Sequence, residues 1–177
     1  FHPAVRYHAV YMIGQLNQRE AVLLGSPKSP PVPYQPALDY LLGLYQDDKQ
    51  SEVVRVVALL GVARHAVLLG SDMPADDRNK VITSMLSTLN AKPGPRTASG
   101  HAWIQRRAVE VLGLLRDPGE GGKVASRLKE VLEDDKQATS MRCMAAIADG
   151  NLTFPGELDP KAGSVAVVVG EMIASEC

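Results

Sequence analysis

Four segments of this chain place apolar or small residues at the same offsets. Counted from Val5 as position zero, they fall at Ala9, Met12, Ile13 and Leu16, offsets four, seven, eight and eleven. From Ile104 the same offsets hold Ala108, Val111, Leu112 and Leu115. From Met141 they hold Ala145, Ala148 and Leu152, with Asp149 the polar exception, and from Val54 they hold Ala58, Gly61, Val62 and, last, His65. Residues three and four apart share one face of an α-helix, so four helices with one common apolar stripe are predicted. An Arg follows position zero in three copies (Arg6, Arg55, Arg142), and a Gly stands nine residues after it in three (Gly14, Gly113, Gly150). A unit that recurs in this way buries its apolar face against the next copy of itself.

Between these segments lie helices of a second kind, predicted at Pro36 to Tyr45, Ala75 to Leu89 and Lys123 to Leu132. Each is one-faced, with stripes such as Leu38, Leu41, Leu42 and Tyr45, or Val124, Leu128, Val131 and Leu132. The unit is therefore a helix pair. Two pairs are joined by the same tetrapeptide, Asp47-Asp48-Lys49-Gln50 and Asp134-Asp135-Lys136-Gln137, whose second Asp lies seven residues before the Arg. A short carboxylate in such a turn is expected to cap the exposed N–H groups that open the second helix. Asp48 with Arg55, and Asp135 with Arg142, are expected to pair as rungs of a ladder along the array. Position zero advances by 49, 50 and 37 residues, so the excess lies in the Pro-rich loops Gly25 to Pro36 and Lys92 to Gly100.

The pattern Val-Arg-x-x-Ala-(x)4-Gly on a second helix, after an Asp-containing turn and a Leu-rich first helix, resembles the HEAT repeats of armadillo-like α-solenoids. Val5-Arg6-Tyr7-His8-Ala9 through Gly14 matches it best, and the resemblance covers about residues 3 to 152. It implies an all-α fold, a right-handed α-α superhelix of about four HEAT-like helix pairs with the outer ones incomplete, in a single repeat domain over 1–177. The third copy departs from the pattern: Gln105 replaces the Arg, and Ala98 stands where the Asp is expected, so the ladder breaks there. The first copy lacks its first helix, and the sequence opens at Phe1, so the chain is read as part of a longer array. Pro160 to Cys177 carries one more helix-length pattern (Val165, Val168, Val169, Met172, Ile173), read as a closing helix.

Chemistry is sparse. With 19 Lys+Arg against 20 Asp+Glu, the net charge of -1 gives no global attraction to nucleic acid or anionic membrane. The longest apolar runs, Val56 to Val62 and Val165 to Val169, fall short of the roughly 18 residues of a membrane span, which reads as a soluble chain. His2, His8, His65 and His101 form no metal-ligand spacing, and the Gly119 to Gly122 stretch reads as a turn rather than a phosphate loop, because no strand precedes it. The paired Asp residues sit at equivalent turns and do not converge as acid–base groups would. Cys143 lies beside Arg142, which would favour a thiolate, but its place on a repeat helix reads as inert packing, and with Cys177 the last residue no disulfide framework is read. No catalytic residue, cofactor or metal is expected.

Binding has more support. Second helices of helix-pair arrays line one extended surface. Offsets two, six and ten, which the core does not use, put Tyr7, Tyr11, Gln15, Arg64, Arg106 and Glu110 there, with Trp103 and Arg107 flanking. Tyr, Trp and Arg are the types favoured at interface hot spots. The Val54 helix is apolar nearly all round and is expected to be sandwiched, which closes the surface locally. Overlapping PxxP steps (Pro27, Pro30, Pro33, Pro36) read first as a stiff loop and second as a polyproline ligand. The expected function is a non-enzymatic protein-interaction scaffold, monomeric, with another protein as partner and neither nucleic acid nor membrane. The resemblance also implies two rivals, a nucleic-acid-binding HEAT-like solenoid and an accessory subunit similar to phycobilin lyase-type HEAT proteins.

Overall fold

A computed structural model describes residues 2–24, 27–154 and 167–169. Among these the chain is all-α apart from one two-stranded hairpin. Seven α-helices follow in order: α1 (Pro3–Gln15), α2 (Gln35–Gln46), α3 (Glu52–Leu69), α4 (Ala75–Asn90), α5 (Ala98–Leu115), α6 (Lys123–Glu133) and α7 (Thr139–Gly150). The three helices of the second kind begin and end within a residue of their predicted limits. Residues 167–169 are helical; the rest of the expected closing helix lies outside the described residues. The chain divides into two compact units, Phe1–Ser84 and Met85–Cys177, with the division inside α4.

In the first unit α1 and α2 both pack on α3. Val54, Val57, Ala58, Leu59, Gly61, Val62, Ala63, His65 and Ala66 of α3 are buried, so this helix is the sandwiched one its composition predicts. Averaged over length, Glu52–Asp72 is long and apolar enough to cross a membrane, with a mean hydropathy of 1.8, although no unbroken apolar run in it is long. Half of that window is buried inside the protein, and Arg55, Arg64 and His65 bond to protein groups, so packing accounts for its apolarity. Gly70 stops the helix at φ 50°, a conformation open to glycine.

The Pro-rich segment does not run as a plain loop. Asn17–Arg19 (β1) pairs antiparallel with Val32–Pro33 (β2), and Val22 bridges to Ser29. The hairpin corrects the expectation of a chain without strands. Pro33 has no N–H to donate, and a two-stranded edge is one of the few sheet positions that tolerates this. Tyr34 N–H donates to Leu16 O at 2.9 Å, and the buried His65 ring lies 2.9 Å from Gly61 O and 3.4 Å from Tyr34 O, which ties the hairpin base to α3.

In the second unit α5 and α6 pack on α7. Thr97 Oγ1 caps α5 by accepting from Gly100 N–H at 3.1 Å. The predicted α6 stripe of Val124, Leu128, Val131 and Leu132 is buried. Gly119, Gly121 and Gly122 all have positive φ in the turn that leads into α6, so the turn reading of this segment is correct. Thr153 N–H reaches Arg116 O at 2.9 Å and draws the ends of α7 and α5 together.

Each unit contains the same joint between second helices. A Cβ on Gly14 would stand 3.1 Å from Gly61 Cα, and one on Gly113 would stand 2.7 Å from Ala148 Cα. In both cases offset nine of one copy meets offset seven of the next. The glycine nine residues after position zero thus lets two helix backbones touch.

Candidate interaction surface

The duplicated tetrapeptide makes the same turn twice. Asp47 Oδ1 accepts from Lys49 N–H at 2.9 Å and Asp134 Oδ1 from Lys136 N–H at 3.1 Å. The other carboxylate oxygen accepts from the Gln side chain, Gln50 at 2.7 Å and Gln137 at 3.3 Å. The first Asp therefore holds the turn, and the expected capping of the second helix is not made: Ser51 and Ala138 are the N-cap residues, without side-chain bonds. The Gln50 amide and the Lys49 N–H hold the Asp47 carboxyl below its usual 3.8. A depressed carboxylate contributes stability above its unfolded pKa and loses it as pH falls through that value and then the folded one. An Asp47→Asn variant should therefore differ from the parent at neutral pH, by an amount that starts to shrink near pH 4 and goes on shrinking as the pH falls further, read by denaturant unfolding along a pH series.

The Arg after position zero closes the helix pair on itself. Arg55 Nε donates to Tyr45 O at 2.9 Å and Arg142 Nε to Leu132 O at 2.8 Å, each ten residues back in the last turn of the preceding first helix. In the third copy Gln105 donates to Leu89 O at 3.4 Å across the longer loop, and Arg127 supplies a second donor to that carbonyl at 2.9 Å. The motif departure at Gln105 therefore keeps this contact in weakened form. Of the expected rungs, Arg55 and Asp48 pair at 3.2 Å within one turn, with the Asp48 side chain 91% exposed, while Asp135 makes no ion pair with Arg142 among the described residues. Arg6 instead reaches forward to the Gln50 side chain, linking the first copy to the turn of the next.

The residues expected at a partner surface fare differently. Arg64 is half-buried and donates to Gly14 O at 3.3 Å and Asn17 Oδ1 at 2.6 Å, so it holds the end of α1. Tyr7 is half-buried and edge-on to His8, Tyr11 is exposed, and Gln15 is exposed. On α5, Arg106 is exposed, and the Arg107 guanidinium lies 5.4 Å from the Trp103 ring centroid and 2.6 Å from Glu110. At about 100° per residue, Trp103, Arg106, Arg107 and Glu110 span roughly 100° of one helix face. The structure brings together this α5 group and, separately, the Tyr7–Tyr11 pair.

Cys143 is exposed, not packed as expected, because offset two of α7 points away from α5 and α6. In the first unit an open groove is lined by Asp39, Gly43, Asp76 and Lys80, but Lys80 already pairs with Asp39 at 2.7 Å and Asp77 at 3.3 Å. Sequence reasoning missed that groove because its residues sit on the outer faces of α2 and α4, away from the repeat template. Among the described residues no three His, Cys, Asp or Glu side chains gather as metal ligands. Compared with known protein families, with curated proteins and with solved structures, this chain matches none.

Proposed function

We propose that the chain is a HEAT-like α-solenoid module that binds another protein, without catalysis, through the exposed face of α5. The observation that carries this reading is the Trp103–Arg107–Glu110 group. The ring is half-exposed, the cation is already positioned over it, and the carboxylate fixes the cation. An aromatic and an Arg presented with little freedom left to lose is the arrangement that gives interface hot spots their affinity. The joint between offsets nine and seven, repeated in both units, supports the solenoid arrangement, because it is a rule by which further pairs can stack.

The test is an affinity capture from nuclease-treated source lysate with the parent chain and a Trp103→Ala/Arg106→Glu variant. The expected result is a partner kept by the parent and lost by the variant, while the variant keeps a cooperative unfolding transition and loses no more than about 2 kcal/mol from truncation of the half-buried ring. Equal retention by both chains, or a partner released only by nuclease, would remove α5 as the binding face.

A further inference from the structure

Resting on α5 as the binding face, we propose that its partner presents an acidic segment: a carboxylate for Arg106 beside a large apolar side chain for the Trp103 ring. Helix α5 carries two Arg, Arg106 and Arg107, and a single carboxylate, Glu110. Residues three and four apart are neighbours on a helix surface, so Glu110 lies within reach of both. Arg107 takes it, at 2.6 Å, and the same guanidinium lies 5.4 Å from the Trp103 ring centroid. Arg106 is left exposed, with no ion pair among the described residues. The strip is one carboxylate short.

Three features decide what supplies it. Trp103 and Arg106 are three residues apart, about 5 to 6 Å between their Cβ atoms, so a partner that covers the ring also draws water from the guanidinium. A cation desolvated without an anion is costly, whereas one that meets a carboxylate is held by two parallel N–H···O bonds. The same short distance sets the spacing in the occupant, whose acid and apolar residue must lie within one helical turn of each other. Finally, Glu110 stands inside the strip, where a run of phosphates would meet it as a like charge. The chain as a whole, at a net charge of -1, adds no long-range attraction for a polyanion. One free Arg beside one ring therefore suits a peptide carboxylate better than a nucleic-acid backbone.

The experiment is selection from a display library of random peptides, about twelve residues or three helical turns long, on the full chain and on its Arg106→Glu and Trp103→Ala variants. The parent should enrich Asp or Glu within one turn of an aromatic residue or Leu. Arg106→Glu should enrich Lys or Arg in place of the acid and keep the apolar residue. A resynthesised parent-selected peptide should bind Arg106→Glu at least about tenfold more weakly, and its affinity for the parent should fall with added salt. Arg106→Gln, which removes the charge without reversing it, should lose less. Position 106 is exposed, so the melting midpoints of both Arg106 variants should match the parent. Selected peptides without acidic residues, bound equally by Arg106→Glu but not by Trp103→Ala, overturn the acidic partner and leave α5 as the binding face. Peptides bound equally by all three chains, or no enrichment on the parent, overturn both. A mixed-sequence DNA duplex bound by the parent and released by Arg106→Glu, with no acidic peptide selected, assigns the strip to nucleic acid and overturns the proposal as well.

Discussion

Gly113→Val should destabilise the chain by about 3 kcal/mol, read from the denaturant midpoint of unfolding. A Cβ at position 113 would stand 2.7 Å from Ala148 Cα and 2.8 Å from its Cβ. Those atoms belong to or adjoin the α7 backbone, which no side-chain rotation can move. Two helices must part, and the packing of α5 on α7 is lost around this point. Helix propensity works the other way, since Gly costs about 1 kcal/mol relative to Ala in a helix, so Gly113→Ala should lose less than Gly113→Val. Gly43→Ala is the control of opposite sign: it lies inside α2 with nothing within 4 Å of the added carbon, and should stabilise by up to about 1 kcal/mol. A Gly113→Val chain as stable as its parent would mean that α5 and α7 do not touch at this point.

Arg142→Ala should cost about 2 kcal/mol, because the Leu132 carbonyl loses a charged donor at 2.8 Å. Arg142→Lys should not restore it, since the bond uses the guanidinium Nε, which an ammonium does not reproduce. Arg55→Ala should cost a similar amount. Asp48→Ala should cost far less, because its carboxylate is 91% exposed and such surface pairs contribute little. Gln105→Ala should also be mild, as Arg127 serves the same carbonyl. Equal losses from Asp48→Ala and Arg55→Ala would restore the ion-pair ladder as the structural device and remove the carbonyl contact from that role.

The helices were legible because their spacing is a direct image of which face is buried, and α6 shows this in its clearest form. The joint was half legible. The glycines nine residues after position zero stood out as a repeat, but that they oppose offset seven depends on helix crossing, which no local pattern encodes. The Asp roles were misread because two adjacent carboxylates are equivalent in sequence, and only the backbone of the turn decides which one faces the Lys N–H. Arg64 looked available because offset ten faces away from the core, yet a long side chain reaches the exposed carbonyl of Gly14 at the end of α1. The hairpin of β1 and β2 is hidden in the sequence because Pro27, Pro30, Pro31 and Pro33 break the strand pattern of its second half.

The bond from Arg142 to Leu132, like that from Arg55 to Tyr45, spans only ten residues of chain. Loops of that size close in tens of nanoseconds, long before distant segments meet. Each helix pair is thus fastened by contacts available as soon as its own thirty or so residues exist, roughly the length of two helices and a turn. On a ribosome adding about ten residues a second, a finished pair has seconds to form before the next emerges. The stripes of α3 and α7 close on helices already made, α1 and α2 or α5 and α6, so the order of synthesis is also the order in which apolar surface is withdrawn from water.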